Sequence, residues 1–378
     1  MRLVIVAGAR PNFVKIAPIL KGLMACGSCS EQPVDVRLVH TGQHYDHQMS
    51  QGFFEDLGIR APDVNLECGS GSQAQVTGTI MIAFERELVR WPADMVMVVG
   101  DVNSTLACGV VGKKQGCLLA HVEAGIRSGD MSMPEEINRI VTDSLSDIFY
   151  TPSESANENL RRLGVPEEKI VFVGNVMIDS LVGNLERLRQ PAIWKDAGLE
   201  EGRYLVLTMH RPATVDDPDR LHGLLEVICR STEVPIIFPV HPRTRAKLGD
   251  AAERFENLIL VEPMGYLEFI YLVRSAKGVV SDSGGISEET TYLNVPCITL
   301  RENTERPETV TQGTNRLVGH DHDAIALALS DLMHGKWHRG RIPDKWDGKT
   351  AQRIAEHLMV LASVRYEVAD RQPRLLAR

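Results

Sequence analysis

The alternation of short apolar runs with segments of helical period sets the tightest limit on how this chain folds. Leu3 to Ala7, Val34 to His40, Met95 to Val99, Leu118 to Val122, Ile148 to Thr151 and Ile170 to Val173 each read as a buried strand. Helical patterns fall between them, at Phe13 to Met24, Gln48 to Leu57, Gln73 to Arg90 and from Pro134 through Ser146. The alternation restarts after Gly174-Asn175, with strands at Tyr204 to Thr208, Pro235 to Pro239, Leu258 to Val261, Gly278 to Ser281 and Pro296 to Leu300. Polar residues collect just after the strand ends, as they do in an open, mostly parallel α/β sheet that binds ligands along that edge. The pattern predicts an α/β chain of two Rossmann-like, doubly wound domains, split at 174/175 with Gly174-Asn175 as the hinge. A length of 378 residues also exceeds one comfortable core.

The most informative stretch runs from Gly278 to Asn315. A β-branched run ends in Ser281-Asp282, Ser283-Gly284-Gly285 follows, and a helical pattern continues to Leu293. A strand, a Gly-rich turn and a helix start form an anion site, because backbone N–H groups and the helix N-terminus both favour negative charge. Glu288 and Glu289 stand one turn in, where a carboxylate suits the vicinal diol of a ribose. Thr304-Glu305-Arg306-Pro307 brings a guanidinium after the next strand, suited to bidentate phosphate contact. An SGG turn alone belongs to many ordinary βαβ units. With E-E and T-E-R-P beside it, the stretch reads as a nucleotide diphosphate site.

Four further clusters sit at strand ends: Arg10 with Lys15, Asp101, Glu123 with Glu135, and His210-Arg211. Each has a plain structural explanation, since acids cap helices and complement their dipoles. Together they offer cations for phosphate and three carboxylates for proton transfer.

Composition excludes other classes. A net charge of −9 argues against a nucleic-acid surface. No apolar run is long enough to span a bilayer, and MRLVIVAGARP reads as a first strand rather than a signal peptide. Seven scattered cysteines fit a reducing compartment, hence the cytoplasm. The lone Cys26/Cys29 pair lacks the second pair that zinc needs, and His44 with His47 and His320-Asp321-His322 lack a third ligand. No metal site is expected. Gly8-Ala9-Arg10-Pro11 is not a dinucleotide fingerprint, and no GxSxG elbow appears.

GARPNFVKIAP, GDVNSTLA, HVEAGIRSGD, MPEEINR, the strand-end HRP and HP, SDSGGISEE and TERPE, in this order, resemble the non-hydrolysing UDP-N-acetylglucosamine 2-epimerases. The resemblance implies a GT-B-type fold with a central cleft and a C-terminal helix segment, about 360–378, completing the first domain beside a second domain of 175–359. It implies interconversion of UDP-GlcNAc and UDP-ManNAc for surface polysaccharide precursors, in a homodimer with no cofactor. Arg10, His210, Ser283, Gly284, Gly285 and Arg306 then hold the diphosphate and Glu289 the ribose. Asp101, Glu123 and Glu135 match the acid/base carboxylates, Lys15 a residue needed near the phosphates, and His210 joins the catalytic set.

Some relatives also bind a second, activating UDP-GlcNAc, and Gln43, Glu136 and His241 match that site. Two arginines of it are replaced here, by Tyr45-Asp46 and by the stretch Gly69 to Ser72. The expectation is therefore no strict dependence on a second nucleotide sugar. GQHYDHQMS and GDVNSTLA also resemble epimerases of UDP-2,3-diacetamido-glucuronate, which keeps a modified sugar open. A GT-B glycosyltransferase shares the nucleotide site but has no need of the three carboxylates, and neither does a non-catalytic sensor. A hydrolysing relative differs by releasing free ManNAc.

Overall fold

The computed structural model describes residues 1–27, 34–42, 58–240, 242–249 and 254–371. The helix expected at Gln48 to Leu57 lies outside them. The chain divides into two compact units, Met1–Ser180 with Asp344–Arg378, and Leu181–Pro343.

The first unit is built on β1 (Arg2–Ala7), β2 (Asp35–His40), β3 (Val64–Asn65), β4 (Met95–Val99), β5 (Leu118–Val122), β6 (Ile148–Thr151) and β7 (Ile170–Phe172), in the order β3-β2-β1-β4-β5-β6-β7. Its pairings are parallel, with Ile5 opposite Leu38 on one side and Met97 on the other. Successive side chains of a strand point to opposite faces. Leu3, Ile5 and Ala7 accordingly join a core with the helix Arg10–Gly27. Val4 and Val6 join another with the helices Gln73–Arg90 and Asn103–Lys114. Burial on both faces is why these strands read as unbroken apolar runs.

The second unit repeats the plan with β8 (Leu205–Thr208), β9 (Ile236–Pro239), β10 (Leu258–Val261), β11 (Gly278–Ser281), β12 (Cys297–Thr299) and β13 (Asn315–Leu317), ordered β10-β9-β8-β11-β12-β13. In each unit the winding reverses at one place, β1/β4 and β8/β11. A doubly wound sheet binds its ligand at such a reversal, beyond the strand C-termini.

The division between units differs from the boundaries at 174/175 and 359/360 read from the sequence. It falls at Ser180/Leu181 and Pro343/Asp344. Packing explains the difference. Val176 belongs to the first core, and Asn175 is fully buried, with its side chain accepting from Met177 N at 2.9 Å. Gly174 has φ +97°, and a Cβ there meets Lys345 O at 2.1 Å. That backbone is pinned, which is a poor property for a hinge. On the return, Trp346 is buried and donates Nε1–H to Pro152 O at 3.0 Å. Asp179 caps the final helix, Thr350–Arg371, accepting from Thr350 N at 3.0 Å and Ala351 N at 2.7 Å. Ala351, Ile354, Ala355 and Leu358 of that helix pack with Phe13 and Ile16 of the first.

Candidate functional site

The first unit gathers its polar residues at the β1/β4 reversal. Gly8 and Ala9 leave β1 so close to Ser104 that a Cβ on Gly8 meets its Oγ at 2.6 Å. Asn12 braces the turn. Its Oδ1 accepts from Gly8 N at 3.2 Å and Ala9 N at 3.0 Å, and its Nδ2 donates to Val99 O at 2.9 Å. Lys15, a turn further on, donates Nζ–H to Glu123 Oε2 at 2.8 Å. This joins the first helix to the end of β5. Glu123 is buried and left-handed, with φ +69°. Such a backbone costs about 1–3 kcal/mol in a non-glycine residue and persists where its surroundings hold it. Here Glu123 N and Ala124 N both donate to Tyr150 O, at 3.0 and 3.1 Å.

Asp101 follows Gly100 at the end of β4. Its Oδ2 accepts two hydrogen bonds from Arg139, from Nε at 3.0 Å and Nη2 at 2.6 Å, and Asn138 donates to its carbonyl at 2.8 Å. Arg139 and Asn138 come from the helix Pro134–Leu145, whose first turn carries Glu135 and Glu136. Glu135 is exposed and lines a cavity of about 330 Å³ together with Asp101, Asn103, Asn138, Gln73 and Gly71. Glu136 points inward, accepting from Ser128 N at 2.9 Å, Gly129 N at 3.0 Å and Arg139 at 2.8 Å. Glu136 therefore shapes the loop before the helix. Its partners hold its carboxyl below the usual range against the upward push of burial. Gln43 and His241, the other second-site residues, lie outside the described residues, as does the side chain of Arg10.

In the second unit, Asp282 directly after β11 is fully buried. It accepts from His210 N at 3.0 Å and Arg211 N at 2.9 Å, and pairs with His210 Nδ1 at 3.0 Å. Burial pushes its carboxyl up, but His210 and these amides hold it below the usual range. The His210 ring is left 58% exposed with its Nδ1 edge fixed. Ser283 caps the helix Gly284–Leu293 in extended backbone, and its amide donates to Ser281 Oγ at 2.9 Å. Gly284 and Gly285 form the first turn, where amides have no partner within the helix. A Cβ on Gly284 meets Arg301 Nη1 at 3.1 Å. Arg301 is buried and forks onto Glu305 at 2.8 and 2.9 Å.

Glu288 and Glu289, adjacent and both buried, have separate partners. Glu288 pairs with Arg306. Glu289 accepts from the Tyr266 hydroxyl at 2.8 Å. Burial pushes the Glu289 carboxyl up to about 7, with the Tyr266 hydroxyl pulling down and the neighbouring Glu288 pushing up. In an unfolded chain this carboxyl titrates at its ordinary value of 4.5. The folded state thus holds a proton that the unfolded state has already lost, so its contribution to stability is complete below pH 4.5 and disappears as pH rises to about 7. Relative to Glu289→Gln, the wild type is expected to lose about 3 kcal/mol over that window. Denaturant unfolding of both proteins at a series of pH values checks this, and parallel curves refute it.

The structure thus gathers Asp101, Glu123, Glu135 and Lys15 in one unit, and His210, Ser283, Gly284, Gly285, Glu289 and Arg306 in the other. Sequence reasoning passed over Asn12, His121, Arg139, Asp143, Asp282, Tyr266 and Arg301. Asn12, His121, Arg139 and Asp282 stood in quoted motifs, and a polar residue inside or directly after a buried strand, as His121 and Asp282 are, is itself a signal that a partner exists. No group of three or more His, Cys, Asp or Glu among the described residues is arranged to hold a metal.

Two doubly wound units, one carrying a Gly-rich strand-to-helix turn and the other a set of carboxylates at strand ends, fit a nucleotide-sugar enzyme of the GT-B type. Residues 28–359 match the family model described as UDP-N-acetylglucosamine 2-epimerase, and the chain belongs to that family. It is 39% identical to the UDP-N-acetylglucosamine 2-epimerase of Methanocaldococcus jannaschii, over 95% of this chain and 99% of that one. It is 37% identical to the UDP-2,3-diacetamido-2,3-dideoxy-D-glucuronate 2-epimerase of Pseudomonas aeruginosa, over 96% and 100%. The crystal structure of the M. jannaschii enzyme in complex with UDP-GlcNAc and UDP superposes with a TM-score of 0.84 at 38% identity, over 95% and 100% of the two chains.

Proposed function

We propose that this chain interconverts UDP-GlcNAc and UDP-ManNAc. The observation that carries the reading is the gathering of Asp101, Glu123 and Glu135 with Lys15 and Arg139 around the ends of adjacent strands. Holding a nucleotide needs no such set, whereas moving a proton at C2 does. The C2–H of the sugar has no carbonyl beside it, so direct deprotonation is closed. Departure of UDP with the electrons of the C1–O bond makes C1 cation-like and acidifies C2–H. One carboxylate takes that proton, leaving 2-acetamidoglucal and UDP. Protonation of C2 from the opposite face, with UDP returning to C1, inverts C2.

In this reading the Ser283-Gly284-Gly285 turn, His210 and Arg306 hold the diphosphate, which here is the leaving group. Donors already fixed in place stabilise the departing charge most, because nothing has to reorganise during the step. The buried Asp282 supplies that fixity for His210. Glu289 takes the ribose hydroxyls. A UDP-2,3-diacetamido-glucuronate remains the second substrate to assay, on the strength of the P. aeruginosa relative.

The expected result in heavy water is product carrying deuterium at C2, read by mass spectrometry after UDP-GlcNAc alone is supplied. Original hydrogen kept at C2 rejects the elimination route. Product only when a glycosyl acceptor is added would make the protein a transferase.

We also infer a cytoplasmic homodimer. Exposed Ile82 and Val89 on the helix Gln73–Arg90, and Ile137 and Ile140 on the helix Pro134–Leu145, give the first unit apolar surface for a second copy. The free cysteines among the described residues fit a reducing compartment.

A further inference from the structure

We propose that His121 and Asp143 are a positioning pair that fixes the Gly100–Asp101 peptide and the Glu123 turn for proton transfer at C2. The proposal rests on the function proposed above. His121 lies on β5, two residues before Glu123, and is completely buried. Its Nε2 faces the Gly100 carbonyl at 2.9 Å, and its Nδ1 faces Asp143 Oδ1 at 2.7 Å. A carbonyl only accepts, so Nε2 carries a proton.

Asp143 receives two more contacts on its other oxygen: Gly125 N donates to Oδ2 at 3.1 Å, and Arg127 Nη1 reaches Oδ2 at 2.7 Å. Burial raises the Asp143 carboxyl, but His121 and Arg127 outweigh it and keep it below the usual range. The His121 ring is held by both nitrogens, between the Asp143 carboxylate and the Gly100 carbonyl.

The geometry gives this ring one job. Gly100 sits beside Glu123 and Lys15: a Cβ built on it lies 3.4 Å from Lys15 Nζ and 3.9 Å from Glu123 Oε2. Its carbonyl belongs to the peptide that launches Asp101. His121 therefore ties the origin of one carboxylate to the strand that delivers another. Asp143 extends the tie to Gly125, and to the helix that supplies Arg139 and Glu135. The pair touches no reacting atom, so its action is on placement. A misplacement of about 1 Å costs on the order of 10²-fold in rate.

The test uses His121→Asn and Asp143→Asn, assayed for kcat, KM, UDP affinity by calorimetry and thermal unfolding. Asparagine at 121 offers only one short donor, and asparagine at 143 removes the charge. The expected result is a kcat lower by about 10–10²-fold, with KM for UDP-GlcNAc and UDP affinity changed by less than about threefold. Near-normal kcat in a folded variant overturns the proposal. Equal loss of kcat and UDP affinity assigns the pair to general stability and overturns it too.

Wild-type protein labelled with nitrogen-15 in histidine supplies a readout that no folding failure removes. Nε2 of His121 is expected to carry a proton and to be hydrogen-bonded to the Gly100 carbonyl, and a bare Nε2 refutes the pair as drawn. If wild type shows no epimerisation of UDP-GlcNAc, the function proposed above falls, while the ring spectrum still decides the geometry of His121.

Discussion

Glu123→Gln is expected to lower turnover of UDP-GlcNAc by about 10²–10⁴-fold, the range that general acid–base groups supply. The substitution is chosen because it keeps the local fold. Lys15 still finds an oxygen to donate to, and the amides of Glu123 and Ala124 still reach Tyr150 O. Asp101→Asn likewise leaves an oxygen for Arg139, and Glu135→Gln changes an exposed side chain. All three should therefore melt near the wild-type temperature and bind UDP within a few-fold, since the turn proposed to hold the diphosphate, Ser283-Gly284-Gly285, belongs to the other unit. Their turnover should still collapse. Two carboxylates serving opposite faces of C2 leave a further signature. The variant lacking one of them should exchange C2–H with solvent faster from one epimer than from the other. Three amide variants of unchanged activity would reduce the whole constellation to a structural one.

Arg306→Leu is the second large effect. Arg306 and Glu288 have side chains 9% and 4% exposed and face each other. Removing one partner of a buried ion pair costs about 3–5 kcal/mol. For a domain of this size that lowers its melting temperature on the order of 10 °C. The double variant Arg306→Leu with Glu288→Leu removes both charges, and its stability should return to within about 1 kcal/mol of wild type, because an apolar pair often replaces a buried ion pair without loss. UDP affinity separates structure from function. If Arg306 also holds the diphosphate, the stable double variant still binds UDP weakly. Full UDP affinity in that protein would confine Arg306 to the pairing.

The fold was legible wherever burial on both faces made a strand continuous. Met95 to Val99, Leu118 to Val122 and Ile148 to Thr151 were bounded as the structure has them. Val64–Asn65 and Asn315–Leu317 left no such trace, because they are short and partly polar. The carboxylates and the Gly-rich turn were legible because strand ends announce where a doubly wound sheet meets its ligand. Their supports were not. Arg139 reaches Asp101 across 38 residues, and Asp282 reaches the His210 amide across 72. Pairings of that separation depend on strand order, which periodicity does not encode. Glu136, which the resemblance gives to a second ligand, accepts from Ser128 N and Gly129 N, contacts that its motif does not show.

The return of the last helix to the first unit sets the order in which the protein assembles during its synthesis. The second unit, Leu181–Pro343, is continuous and has all its strands in hand before the return begins. The first unit is interrupted. When Ser180 emerges, the stripe of Phe13, Ile16, Ile19 and Leu23 still lacks Ile354, Ala355 and Leu358. Translation proceeds at about 5–20 residues per second, so that stripe waits on the order of ten seconds for its cover. During that interval the half of the chain made first is the half finished last. A chaperone that shields the N-terminal helix, or a ribosome stalled before Thr350, would therefore act on the unit of Asp101, Glu123 and Glu135 and leave Leu181–Pro343 to fold alone.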